Sequence, residues 1–278
     1  MSAKPPFFKN IKSIYAAMHA NPYPLFHCAL PLLVLAVAVK ASMLYVIWDI
    51  TGDVHANPRE IATDKFMAYW PVMLLWIPYF VYSIKAAIGW HRTFIQGGGA
   101  ALAHPQLTLD VTERAFLYKV LLYALLWIGI CMLPIAVVAV TSFGIAGVVA
   151  GKNLAAILVV VAIIIVASFA FSALSLRFTL YFPAKASGDY VSFRQSFRLM
   201  RGLGMKMLFM ILMAGLPVYI FQGLVYGALK LIGLPSLLTF AGALSFVFID
   251  SFFSPLIAVA VLSHYYIWIR DNRMAQQA

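Results

Sequence analysis

Six apolar runs divide this chain: residues 25–48, 66–90, 116–140, 154–182, 207–230 and 236–269. Each is about as long as the ~20 helical residues that cross a ~30 Å hydrocarbon core. In lipid a backbone must satisfy its own hydrogen bonds, so such runs are helices. The pattern predicts an all-α, polytopic membrane protein of six transmembrane helices arranged as three hairpins. With 278 residues there is no room for a sizeable soluble domain, so residues 1–278 form a single integral membrane domain.

The polar connections add juxtamembrane helices on one side. In the leader, Phe7, Phe8, Ile11, Ile14, Tyr15 and Met18 recur at helical spacing, which predicts a short interfacial helix ended by Asn21-Pro22-Tyr23-Pro24. Ala36-Val37-Ala38 mimics a signal-peptidase site, but the proline-containing leader is a poor n-region, and the first run is expected to be a retained span. Residues 111–119 begin a second juxtamembrane helix. The most basic connection is 177–206. Read as a helix over 190–206, it puts Arg194, Arg198 and Arg201 on one narrow face and Phe193, Phe197, Leu199, Met200 and Leu203 on the other side. That is the composition of a helix lying in the membrane interface.

Charge then orients the spans. The side holding the N-terminus collects fifteen Lys and Arg, including Arg194, Arg198, Arg201, Lys206, Arg270 and Arg273. The other has four, Arg59, Lys65, Lys152 and Lys230, with Lys40 inside the first span and nearer that side. The positive-inside rule places both termini in the cytoplasm of a cell inner membrane, and this is self-consistent for an even number of spans. Pro31, Pro134 and Pro217 recur early in the odd spans, and aromatic–Arg clusters close the even ones, which suggests three hairpins of one orientation.

Composition narrows the functional classes. Apolar residues make up 64% and charged residues 10%, so the net charge of +11 points to anionic head groups as partner rather than nucleic acid. Cys28 and Cys131 lie inside apolar runs and make neither a disulfide framework nor a metal spacing. Gly97-Gly98-Gly99 is not a phosphate loop, and no HExxH, GxSxG, CxxC or paired-carboxylate motif is present. No catalytic residue, cofactor or metal is therefore assigned.

Two stretches resemble a known family. Residues 180–202, LYFPAKASGDYVSFRQSFRLMRG, pair a span-end Pro with an Ala/Ser-rich helix reading S-x-R-L-x-x-G. Residues 254–273, SPLIAVAVLSHYYIWIRDNR, show an early Pro-Leu and a closing aromatic pair before Ile-Arg. Both are similar to the bacterial integral-membrane superfamily that includes the membrane domain of glycerophosphoryl diester phosphodiesterases and related proteins of unknown function. The resemblance covers mainly residues 174–278. The phosphodiesterase chemistry of that family resides in a soluble barrel domain that this chain lacks, so no catalytic residue carries over. What it implies is a six-span bundle concerned with lipids or membrane integrity.

Several residues remain as candidates. Asp250 is an ionisable group within the last run, and such a group is a functional hypothesis by default at membrane depth. Alternatively, Ser254-Pro255 reads as an N-cap and first helical position, and Asp250 and Ser251 then satisfy backbone groups freed at a break. Lys40 pairs with Asp49 or Asp250, or snorkels outward. His27, His91 and His264 read as interfacial anchors, and Gly223 and Gly227 form a GxxxG for close helix packing inside the bundle or in a homo-oligomer. Three functions are compatible with this inventory. One is a non-enzymatic scaffold, accessory or lipid-interacting protein whose basic surface (Arg194, Arg198, Arg201, Lys206) binds anionic lipid or a protein partner. The second is a small transporter or channel using Asp250 and Lys40. The third is a lipid-modifying enzyme in which His91, Arg92, Asp189 and His264 converge.

Overall fold

The computed structural model describes residues 7–51, 69–98, 111, 113–125, 154–233 and 235–274. Every element among them is helical: α1 (Phe7–Ala20), α2 (Pro22–Thr51), α3 (Trp76–Gln96), α4 (113–125), α5 (Leu154–Ser175), α6 (Tyr181–Ser187), α7 (Phe193–Leu199), α8 (Gly204–Ile232), α9 (Pro235–Leu244) and α10 (Ser254–Ile269). Four stretches are long and apolar enough to cross a bilayer: Pro22–Val46, Val166–Ser187, Gly204–Ile232 and Phe240–Asn272. The chain is thus a multi-pass helical membrane protein. The expected second span corresponds to α3, whose apolar run is diluted by Lys85, His91, Arg92 and Gln96. The expected third span lies outside the described residues beyond position 125.

α3 is the hub, packed against α2, α6 and α10. Small residues set its approach to α2: a Cβ on Gly89 would sit 2.6 Å from Cys28 Sγ. One turn of that contact is also pinned by a buried hydrogen bond, Trp90 Nε1 donating to the Leu25 carbonyl at 2.8 Å.

The contact between α3 and the last span is hydrogen-bonded at two levels. Ser251 Oγ donates to the Phe246 carbonyl at 2.7 Å, so the Tyr79 hydroxyl, 2.9 Å away, donates to Ser251. Ser263 Oγ likewise donates to the Val259 carbonyl at 2.8 Å, which makes His91 Nδ1–H the donor to Ser263, also at 2.8 Å. Both partners advance by the same twelve residues, 79 to 91 and 251 to 263, so the two helices run parallel and in register.

The last span does not break at Ser254-Pro255. Between α9 and α10 the helix widens into a nine-residue π stretch, Ser245–Phe253, and continues. A proline ring clashes with the carbonyl four residues back and cannot donate to it. The wider turn moves the bonding one residue further, with the Ser254 N–H reaching the Ile249 carbonyl. Ser254 is helical (φ −63°, ψ −49°) rather than an N-cap, and its Oγ accepts from the Tyr219 hydroxyl of α8 at 2.9 Å. Ser251 does satisfy a backbone carbonyl, as expected; Asp250 makes no such bond among the described residues and its side chain is exposed.

The expected single helix over 190–206 is also corrected. α7 starts at a capping box, in which Ser192 Oγ accepts the Gln195 N–H and Gln195 Oε1 accepts the Ser192 N–H. It ends at Leu199, because Gly202 adopts φ +76° and turns the chain before α8 begins. α8 starts at a glycine for a packing reason: a Cβ on Gly204 would lie 2.2 Å from the Ala173 carbonyl oxygen of α5.

α1 is more than an interfacial helix. Its Ile14 is fully buried in a cluster with Met210, Ala214, Ile257 and Val261. Tyr15 donates its hydroxyl to the Ala214 carbonyl, and burial raises its pKa above the ordinary phenol value. Pro217 follows in the next turn of α8, where its missing N–H and its ring loosen the backbone bonding.

Two glycine substitutions separate these contacts. Gly204→Ala is expected to lower the thermal unfolding midpoint in detergent by the equivalent of about 1–3 kcal/mol, because backbone cannot move aside. Gly89→Ala is expected to be partly rescued by Cys28→Ala, since there a side chain is the obstacle. Equal midpoints for wild type and Gly204→Ala would refute the close approach of α5 and α8.

Candidate functional site

The basic connection between α5 and α8 is held from beneath by Arg177. Its guanidinium lies 3.6 Å over the Phe197 ring, and Nη2 donates to the Phe197 carbonyl at 3.0 Å. In return Ser196 Oγ donates to the Arg177 carbonyl at 2.8 Å. Phe178 packs on Phe197 with ring centroids 4.9 Å apart, and Tyr181 on Phe193 at 5.0 Å. The apolar underside of α7 is thereby spent on the protein. Its basic residues are left outside: Arg194 and Arg198 on α7, Arg201 in the turn, and Lys206 in the first turn of α8 are all exposed. None of the four is ion-paired among the described residues.

The described acids at this end already have partners. Glu113, nearly buried, pairs with Lys85 at 3.4 Å. Asp189 accepts from the Tyr266 hydroxyl of the last span, and Ser187 Oγ lies 3.4 Å from the same oxygen. Asp271 pairs with Arg270 at 3.2 Å. The result, among the described residues, is a set of four unpaired cations on α7, the turn after it and the start of α8.

The four residues named for a reactive cluster each bond to other groups. His91, 1% exposed, is bonded to Ser263 between two helices and is therefore a buried strut rather than an interfacial anchor. Arg92 donates Nε–H to the Ala186 carbonyl at 3.2 Å, and Gln96 donates to the Ser187 carbonyl at 2.9 Å. Asp189 is taken by Tyr266, and the His264 ring lies 3.2 Å from the carbonyl of Ala260 in its own helix. His27 packs its ring on Tyr23 at 5.8 Å. Among the described residues no group of three or more His, Cys, Asp or Glu could hold a metal ion.

On the other half of the bundle, Lys40 lies 5.7 Å from the Phe246 ring and within electrostatic range of Asp250, without ion-pair contact. Gly223 and Gly227 sit on an exposed face of α8, where a Cβ would meet nothing within 4 Å. Among the described residues they make no close helix contact inside the bundle.

Sequence reasoning counted Arg177 as a topological charge and as part of the aromatic–Arg cluster that closes its span. Its partners are about twenty residues away, beyond any helical period, so no local pattern marks it. Loss of this stack should free α7 alone. Arg177→Ala is expected to speed amide hydrogen exchange across 193–199 by roughly tenfold, the equivalent of a cation–π contact plus one hydrogen bond, with α3 and α10 unchanged. Uniform exchange changes throughout the bundle would contradict a local role.

No protein-family model matches this chain, and neither does any curated protein or any solved structure.

Proposed function

We propose that this protein is a non-enzymatic, six-span protein of the bacterial cytoplasmic membrane, whose basic cytoplasmic surface binds anionic lipid head groups. The observation that carries this reading is the set Arg194, Arg198, Arg201 and Lys206: all exposed, none ion-paired among the described residues, and set on and just after α7, whose apolar face is already occupied. An Arg near an anionic leaflet contributes about 1 kcal/mol of attraction, and three or four act together.

The topology supports it. Two membrane helices that run parallel need an odd number of crossings between them. α3 and the last span are parallel, and α5 and α8 supply two crossings. The apolar run at 116–140 provides the third and brings the total to six. Both termini, α6, α7 and the start of α8 then share one side, and the positive-inside rule makes it the cytoplasm. The family resemblance of residues 174–278 points the same way, toward a bundle concerned with lipids.

The test is lipid binding by the full-length protein in detergent, with short-chain phosphatidylglycerol against phosphatidylcholine. Wild type is expected to prefer the anionic lipid, and Arg194→Gln/Arg198→Gln/Arg201→Gln to weaken that binding by roughly 100-fold at low salt, with the thermal unfolding midpoint preserved. Equal affinity of the two proteins for phosphatidylglycerol would reject the reading.

A further inference from the structure

A groove of about 580 Å³ runs between α8 and the last span. It lies where α8 carries Pro217, which donates no backbone hydrogen bond, and where the last span widens into its π stretch. Phe221, Val225, Leu244 and Phe248 give it an apolar lining. Its size falls within the range of small-ligand sites. Both helices that form it are among the stretches able to cross a bilayer.

Two lining residues do not fit a purely hydrocarbon surrounding. Gln222 and Ser245 are half-buried, line the groove, and have no hydrogen-bond partner among the described residues. At membrane depth no bulk water replaces a missing partner. A plain alkyl chain would fill the space and leave both groups unpaired. An acyl ester brings the chain together with a carbonyl, which accepts from the Gln222 amide or the Ser245 hydroxyl.

We infer that this groove is a binding site for one acyl chain of an ester-linked lipid, with the ester carbonyl held by Gln222 and Ser245. The site is separate from the basic surface, and either stands if the other fails. Losing groove labelling leaves anionic-lipid preference intact, and neutralising the arginines leaves groove labelling intact.

The experiment uses the full-length protein in phosphatidylcholine vesicles containing phosphatidylcholine with a diazirine on one acyl chain. After illumination, adducts are mapped by mass spectrometry. The expected result is a severalfold excess of adducts on 217–225 and 244–253 over the exposed α2 surface at Val34 and Val37, lost in Val225→Trp, which fills the groove. Gln222→Leu, of nearly the same volume, is expected to reduce labelling by the ester lipid severalfold while labelling by a diazirine-bearing alkane stays constant, which decides the matter if Val225→Trp does not fold. Three results would each overturn the assignment: even labelling of groove and α2, labelling unchanged by Gln222→Leu, or cross-linking of Val225→Cys to a second copy or to residues 126–150 in place of lipid adducts.

Discussion

Helix packing in a membrane gains little from apolar burial, because lipid tails are as apolar as the side chains they would replace. Register must come from elsewhere, and here it comes from serines on the last span. Ser251 and Ser263 each donate to a carbonyl of their own helix and accept from α3, through Tyr79 and His91. Two such bonds twelve residues apart fix both the sliding and the rotation of α3 against the last span. The other contacts of α3 build on that frame: α2 closes over Gly89 and Trp90, and α6 accepts Arg92 and Gln96 on its last carbonyls.

The basic face follows from this frame. Tyr266, two residues past His264 and three past Ser263, reaches Asp189 just after α6, so the parallel pair also fixes where α6 ends. From α6 the chain passes through Gly188 in a left-handed turn, then the capping box at Ser192, then Gly202 in a second left-handed turn. Each of these shortens a helix that propensity alone would extend. What remains is a seven-residue α7 clamped by Arg177, with its arginines outward. A surface charged in this way is a consequence of how the underside is used, since one side of a short helix cannot be both latch and ligand.

The sequence made the class and most of the spans legible, because hydropathy over twenty residues reports directly on lipid solubility. Four of the expected runs match helices able to cross a bilayer. Serine as a backbone partner near Pro255 was also readable, and Ser251 fills that role. The π stretch was not, since a break and a widened turn both relieve a proline and only tertiary packing chooses between them. The burial of α1 was hidden for a similar reason: an amphipathic helix with aromatic residues looks the same whether its apolar face meets lipid or Met210 and Val261. The end of α7 was foreshadowed by Gly202 and Gly204, which a purely periodic reading passes over. Arg177 and His91 reach partners 20 and 172 residues away, and no spacing rule announces such contacts.

The central claim is that the basic connection before α8 and the turn after it face opposite sides of the membrane, with the basic side cytoplasmic. Cysteine labelling in intact cells tests it most directly. In a chain with Cys28 and Cys131 replaced, single cysteines are placed at Tyr190, 85% exposed before α7, and Leu231, 90% exposed at the end of α8. The account predicts that a membrane-impermeant maleimide labels Leu231→Cys in intact cells and Tyr190→Cys only after permeabilisation. Labelling of Tyr190→Cys in intact cells would put the basic surface outside and contradict the account.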